Sequence, residues 1–186
     1  MLRRPLVLLV LAVLVQAVAL VTPRHDAVAA PARRVTRVLI KKQEHTMQLL
    51  AADAKGNEEV VASYKVAIGP GGLGPKRQEG DMTTPVGRYH VTMRQRSQYK
   101  LFLGIDYPTV ADHRRFELLK RRGDLPKSAT IGGSIGIHGP PVALSDATKK
   151  TLKEHDWTAG CIAVDEDEIT EIGRLVRDGT VVDIED

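Results

Sequence analysis

The chain has one cysteine, Cys161, so no internal disulfide can form. It has no His-x-x-x-His pair and no second thiol, which argues against a structural zinc site. No lysine or arginine run with interleaved aromatics occurs, and a net charge of +4 is too balanced to point to nucleic acid. No internal repeat is found. What remains is a chain of ordinary composition with one thiol in a distinctive setting.

The N-terminus reads as an export segment. Arg3 and Arg4 precede an almost unbroken apolar run from Leu6 to Val21, and Ala27-Val28-Ala29-Ala30 offers an A-x-A cleavage site. Ala17-Val18-Ala19 is a second candidate, inside the run itself. The run is short of the ~20 residues a membrane span needs. Residues 1–29 are therefore expected to be a signal peptide, with an uncleaved N-terminal membrane anchor as the alternative. Either places the rest of the chain outside the cytoplasm, in the periplasm or cell envelope. Residues 30–34 read as a linker, and residues 35–186 suit one domain with one core. Cleavage after Ala29 removes Arg3, Arg4, Arg24 and Asp26, which lowers the positive charge. Arg33, Arg34 and Arg37 are placed to rest near anionic lipid, although three charges attract only weakly.

Strands are expected over Val35–Lys42, Thr46–Ala52, Val60–Ile68, Thr83–Met93 and Tyr99–Ile105, with a flexible glycine-rich loop from Gly69 to Gly80 bordering a substrate groove. The period then changes. Val110–Arg122 reads as a helix, Thr130–His138 as a glycine-rich strand, and Ser145–His155 as a helix capped by Ser145. Asp165 and Glu168 form a capping box for a helix from Glu166 to Val176. Asp178-Gly179 turns the chain into a closing strand, Thr180–Ile184. The pattern predicts a mainly β domain with inserted helices, a sandwich or a barrel.

Two motif matches fail on context. Gly69-x-Gly71-x-x-Gly74 fits the dinucleotide fingerprint, but Pro75 and a polar run stand where the phosphate-binding helix must begin. Ser97-x-x-Lys100 fits the serine–lysine motif of penicillin-binding enzymes, yet no Lys-Thr-Gly or Ser-Asp-Asn follows and the segment reads as a strand.

Cys161 is a stronger candidate. A lone cysteine is most often a small buried hydrophobe. Here Gly160 removes a side chain beside the sulfur and allows a substrate carbonyl to approach backbone N–H groups closely. Ile162-Ala163-Val164 would hold the thiol on rigid backbone, and an unpaired exported thiol risks oxidation unless it has a use. A protonated thiol needs a base. His138 ends an alternating apolar strand and precedes the rigid Gly139-Pro140-Pro141 exit, so it ranks first. His155, at a helix end, ranks second, ahead of His45, His90 and His113, and His25 lies in the leader.

These residues resemble a known family. Ile137-His138-Gly139 followed by Thr158-x-Gly160-Cys161-Ile162 resembles the signature of the L,D-transpeptidase catalytic domain (YkuD-like). Gly80-Asp81-Met82-Thr83-Thr84-Pro85-Val86-Gly87-Arg88-Tyr89 and Leu103-Gly104-Ile105-Asp106-Tyr107-Pro108 resemble two further segments of it, and the likeness runs over roughly residues 35 to 184. The resemblance implies a β-sandwich with the cysteine at a strand end beneath a groove. It implies peptidoglycan stem peptides as substrate, with a wall-attached protein or peptide as a further partner. Cys161 would be the nucleophile, His138 the base, and the backbone at Gly160 and Cys161 the oxyanion hole. Gly139, Thr158 and Ala159 would line the substrate site. No metal or cofactor is implied.

Two positions depart from the family pattern. Ala159 stands where His is usual, and Ala163 where Arg or Asn is usual, which removes groups that would orient a stem peptide. The interval between His138 and Cys161 leaves room for the helix Ser145–His155 over the groove, where Lys149, Lys150 and Lys153 would supply carboxylate contacts. Three functions follow: a transpeptidase, a hydrolase using the same thioester, and a non-catalytic wall-binding module with Cys161 buried.

Overall fold

The computed structural model describes residues 34–186, so the expected leader and most of the linker lie outside the described residues. The strands are β1 (Val35–Lys41), β2 (Thr46–Ala52), β3 (Glu58–Lys65), β4 (Gly87–Ser97), β5 (Lys100–Ile105), β6 (Gly136–His138), β7 (Ile162–Ala163) and β8 (Val181–Glu185). The helices are α1 (Val110–Arg122), α2 (Asp146–Leu152) and α3 (Glu166–Leu175). The strands form one sheet in the order β3-β2-β1-β8-β4-β5-β6-β7.

β1, β2 and β3 make an antiparallel meander, and β8 lies parallel to β1. β4 is shared: Gly87–His90 pairs with β8, and Val91–Ser97 pairs with β5 across a bulge at Val91/Met93. A bulge bends a strand and increases its twist, so the sheet curls at β4. The curl brings its two edges together. Just past β3, Ala67 N–H donates to Ala163 O at 2.9 Å and Ala163 N–H returns the bond to Ala67 O at 2.8 Å. The mainly β, layered architecture with helices inserted late in the chain is the one the sequence pattern predicts.

Alternation along the strands supplies the core. Val38, Ile40, Met47, Leu49, Leu103, Ile137, Ile162 and Ile184 are almost wholly buried. Helix α3 closes one end of it. Its capping box forms between Asp165 and Glu168, and Ile169, Ile172 and Val176 lie on one face at helical spacing, all buried.

Several boundaries differ from expectation. β4 starts at Gly87, not Thr83, because Pro85 has no N–H to donate and the Thr84 hydroxyl is taken by Gly69 N–H. β6 is only Gly136–His138, because Gly132 (φ 77°) and Ser134 (φ 55°) break the extended chain before it. β3 begins at Glu58 and ends at Lys65, and α2 stops at Leu152, short of His155.

The glycine-rich segment after β3 lines no part of the active-site cavity described below, contrary to expectation. It is tied down by polar contacts. The Asp81 carboxylate accepts from Lys76 Nζ at 2.6 Å and from the N–H groups of Arg77, Gln78 and Thr83 at 2.6, 3.0 and 3.0 Å. Lys42, fully buried, donates to Gly74 O and to Asp186. Burial opposes ionisation of Asp81, but Lys76 and the three N–H groups outweigh it and hold the carboxyl below its ordinary value. Removing one partner of a buried ion pair strands the other charge. Asp81→Ala is expected to cost about 3–5 kcal/mol in urea unfolding, whereas the exposed Arg77→Ala should change the midpoint little.

Candidate active site

The parallel pairing of β6 with β7 sets Ile137 opposite Ile162 and His138 opposite Ala163. That register brings His138, at the end of β6, and Cys161, just before β7, to one end of the sheet. Both line a single cavity of about 940 Å³. Its walls come from alternate residues of β4 (Met93, Gln95, Ser97), the β4–β5 turn (Gln98, Tyr99), Phe102, Ser134 and the Trp157–Ala159 segment. No lining side chain is acidic or a lysine or arginine.

His138 is buried and boxed by aromatic rings. Tyr99, Trp157 and Phe102 lie 4.5, 5.6 and 6.3 Å from it, centroid to centroid. Its Nδ1 is 2.7 Å from Gly139 O. A carbonyl can only accept, so Nδ1 carries the proton and Nε2 of the neutral ring is left with a free lone pair. Burial lowers the imidazole pKa below its ordinary 6.5, and the contact with Gly139 only partly offsets this. The ring is therefore a neutral base at pH 7.

Cys161 is half-buried, with Sγ 3.5 Å from Ser134 O. Burial raises its pKa, opposed by the backbone N–H of Gly136 and the charge of Lys76. The resting pair is thus a thiol and a neutral imidazole. Gly160 is required where it stands: its φ is +122°, and a Cβ there would meet Thr83 O at 2.8 Å. The Thr158 hydroxyl fixes the approach to the cysteine, donating to Cys161 O at 2.7 Å and accepting Gly160 N–H at 3.2 Å.

The other expected residues divide. Thr158 and the exposed Ala159 line the cavity, but the Thr158 hydroxyl is engaged within its own turn. Gly139 does not line it. Its N–H is bonded to Tyr99 O and its carbonyl holds the His138 ring, while Ile169 Cγ2 leaves no room for a Cβ. His155 is exposed and outside the cavity. Helix α2 does not cover the groove. Lys149 pairs with Glu166 at 2.7 Å, and Lys153 with Asp165 and Glu168 at 2.8 and 2.7 Å, so both clamp α2 onto α3 and are not free for substrate carboxylates. Ala163 lies in a separate small cleft with Lys149 and Lys153.

Sequence reasoning missed the aromatic box. With only seven aromatic residues in the chain, Tyr99 just before β5, Phe102 within it and Trp157 beside the cysteine segment were the available signal. Among the described residues, no group of three His, Cys, Asp or Glu side chains is placed to hold a metal ion.

Residues 35–184 match the model of the L,D-transpeptidase catalytic domain family, YkuD. The chain is 33% identical over 78 residues to YafK of Escherichia coli K12, a candidate L,D-transpeptidase, covering 40% of this chain and 31% of YafK. The helical cell shape determining protein Pgp2 of Campylobacter jejuni superposes with a TM-score of 0.60 at 26% identity, over 83% of this chain and 49% of Pgp2. Bd1075 of Bdellovibrio bacteriovorus superposes with a TM-score of 0.55 at 18% identity, over 84% and 49% of the two chains, and shares the fold. The chain thus spans about a third of YafK and half of the solved relatives.

The electrostatics of the pair make one direct expectation. Alkylation of Cys161 by iodoacetamide should rise with pH through a midpoint above the free-thiol value of about 8.5. A midpoint near or below neutrality would mean a resting thiolate–imidazolium pair.

Proposed function

The chain belongs to the L,D-transpeptidase catalytic domain (YkuD) family, and from that premise we propose that it is a peptidoglycan-modifying cysteine acyltransferase acting on stem peptides through a Cys161 thioester. The observation that carries this reading is the pairing, in one cavity, of the chain's sole thiol with a buried histidine whose tautomer is fixed by Gly139 O.

Cys161 Sγ attacks the carbonyl of the L-centre of the diamino acid that bears the terminal D-alanine. His138 Nε2 takes the thiol proton as the S–C bond forms, so no free thiolate need accumulate. The oxyanion faces the backbone N–H of Cys161, with Gly160 N–H as a second donor when it leaves the Thr158 hydroxyl. The C–N bond breaks, and His138 returns the proton to the departing D-alanine amine. An amine of a second stem, or water, then attacks the thioester carbonyl with His138 again as base; the C–S bond breaks, and the proton His138 has taken returns to Cys161 Sγ. The aromatic box keeps the ring in one plane and dry, and Gly139 O stabilises the imidazolium that forms at each step.

Cys161→Ala should fold and form no thioester, read as the absence of an acyl adduct by intact mass. His138→Ala should slow acylation by roughly 10²–10⁴-fold, and the exposed His155→Ala should leave it nearly unchanged. Comparable losses for both histidines would remove His138 from the role. The base must be unprotonated, so kcat/KM should be full above the His138 pKa and fall as pH drops through a value below 6.5.

A hydrolase is the second reading, favoured by the uncharged cavity lining and by the engagement of Lys149 and Lys153 with α3, which leave an acceptor stem without a cationic anchor. Acceptor orientation then rests on neutral groups such as Gln95 and Gln98. With a tetrapeptide donor and increasing stem amine, a transferase yields cross-linked product that grows with amine. Hydrolysed product dominant at every amine concentration would replace the transferase by the hydrolase.

A further inference from the structure

A second large surface cavity, about 660 Å³, is lined by Arg34, Arg94, Arg174 and Arg177, with Asp178 its only acidic side chain. Arg94 is built into the fold. Its guanidinium donates to Gly173 O at 2.7 Å and Val176 O at 2.5 Å, capping the last turn of α3, and its Nε lies 3.8 Å from Asp178. Arg34, Arg174 and Arg177 are exposed, and among the described residues none has a carboxylate within ion-pair distance. This sets them apart from Arg37, Arg88 and Arg115, which pair with Glu58, Asp183 and Asp112.

The cavity's position follows from strand alternation. Met93, Gln95 and Ser97 line the Cys161 cavity, so Arg94 projects from the opposite face of β4. Arg34 opens the described domain and is thirteen residues beyond Val21, where the apolar leader run ends, a contour length of at most about 45 Å.

We propose that Arg34, Arg94, Arg174 and Arg177 form a docking site for the phosphate headgroups of anionic phospholipid, which holds this face on a membrane while the Cys161 cavity opens away from it. Guanidinium forks suit phosphate oxygens, and the exposed Arg34, Arg174 and Arg177 lose little on exchanging water for an anionic surface, while Arg94 adds its charge from a position fixed by the end of α3. In a chain that keeps its leader as an anchor, an electrostatic contact also supplements that single short apolar segment, since stable attachment generally needs two signals.

The test uses the full chain with vesicles of phosphatidylcholine alone or with phosphatidylglycerol added, so that the leader contributes equally throughout. The wild type should favour the anionic vesicles. R174Q/R177Q should weaken that binding by about 10- to 30-fold, taking about 1 kcal/mol per arginine near the surface, with binding to neutral vesicles and turnover unchanged. R121Q/R122Q, an equal charge loss on the exposed end of α1, should bind as the wild type. The proposal is overturned if R174Q/R177Q binds anionic vesicles like the wild type or if the two double variants weaken binding equally. It is also overturned if millimolar inorganic phosphate, at constant ionic strength, releases the protein, which would mark a pocket for a small anion.

Discussion

The reciprocal backbone hydrogen bonds between Ala67 and Ala163 hold the rest of the site in register. β7 has only two residues and would be a poor strand alone. It persists because it pairs on both sides, with β6 in parallel and with Ala67 across the closing edge. That double pairing leaves no free edge there and fixes where the chain arrives from the Trp157–Gly160 turn. Ile68 O receives the N–H groups of both Trp157 and Thr158, so the same edge orients the tryptophan that packs on His138. One backbone contact therefore sets the height of the thiol, the turn before it and one wall of the base's enclosure.

Enclosure has opposing consequences for the chemistry. Burial favours neutral groups, pushing the thiol up and the imidazole down, which works against a preformed ion pair. A neutral pair is less reactive at rest and better protected from oxidation. In the proposed acyl transfer, the same low polarity would strengthen each hydrogen bond to an oxyanion beside Cys161. On that reading the site trades resting nucleophilicity for stabilisation of charge that appears only during reaction. Lys76 moderates the balance from a distance, held by Asp81 behind the wall that Thr83 forms against Gly160.

Much of this was legible in the sequence wherever the signal was local. Ser145, and Asp165 with Glu168, cap the last two helices as expected, and the helix over Val110–Arg122 follows the apolar spacing that predicted it. Cys161 and His138 stood out through their flanking glycines and apolar runs. What escaped was non-local. Nothing in the order of residues announces that Lys149 and Lys153 turn to α3 and not to the groove, because that depends on where α2 docks. The place of Gly139 outside the cavity escaped for the same reason. Its neighbours Tyr99 and Ile169 come from distant segments, and only their arrival removes it from the cavity and makes its carbonyl the partner of His138. The glycine-rich segment read as flexible because its composition is flexible, whereas Lys42, Lys76, Asp81 and Asp186 together fix it.

β4 joins these themes. As the strand shared by both halves of the sheet, it presents every second residue to the Cys161 cavity and the alternate ones to the opposite face. On the cavity side its residues are neutral: Met93, Gln95 and Ser97. On the other side Arg94 and Arg96 are cationic, and Arg94 anchors the end of α3. Segregating charge in this way keeps the cavity of low polarity, which suits the proposed acyl transfer, and concentrates positive potential on the face away from Cys161. An uncharged groove must then select its substrate by shape and by hydrogen bonds to neutral groups. Such bonds discriminate well only when they are held rigidly, and the backbone at Gln95 is held along one edge, by its pairing with Phe102 of β5.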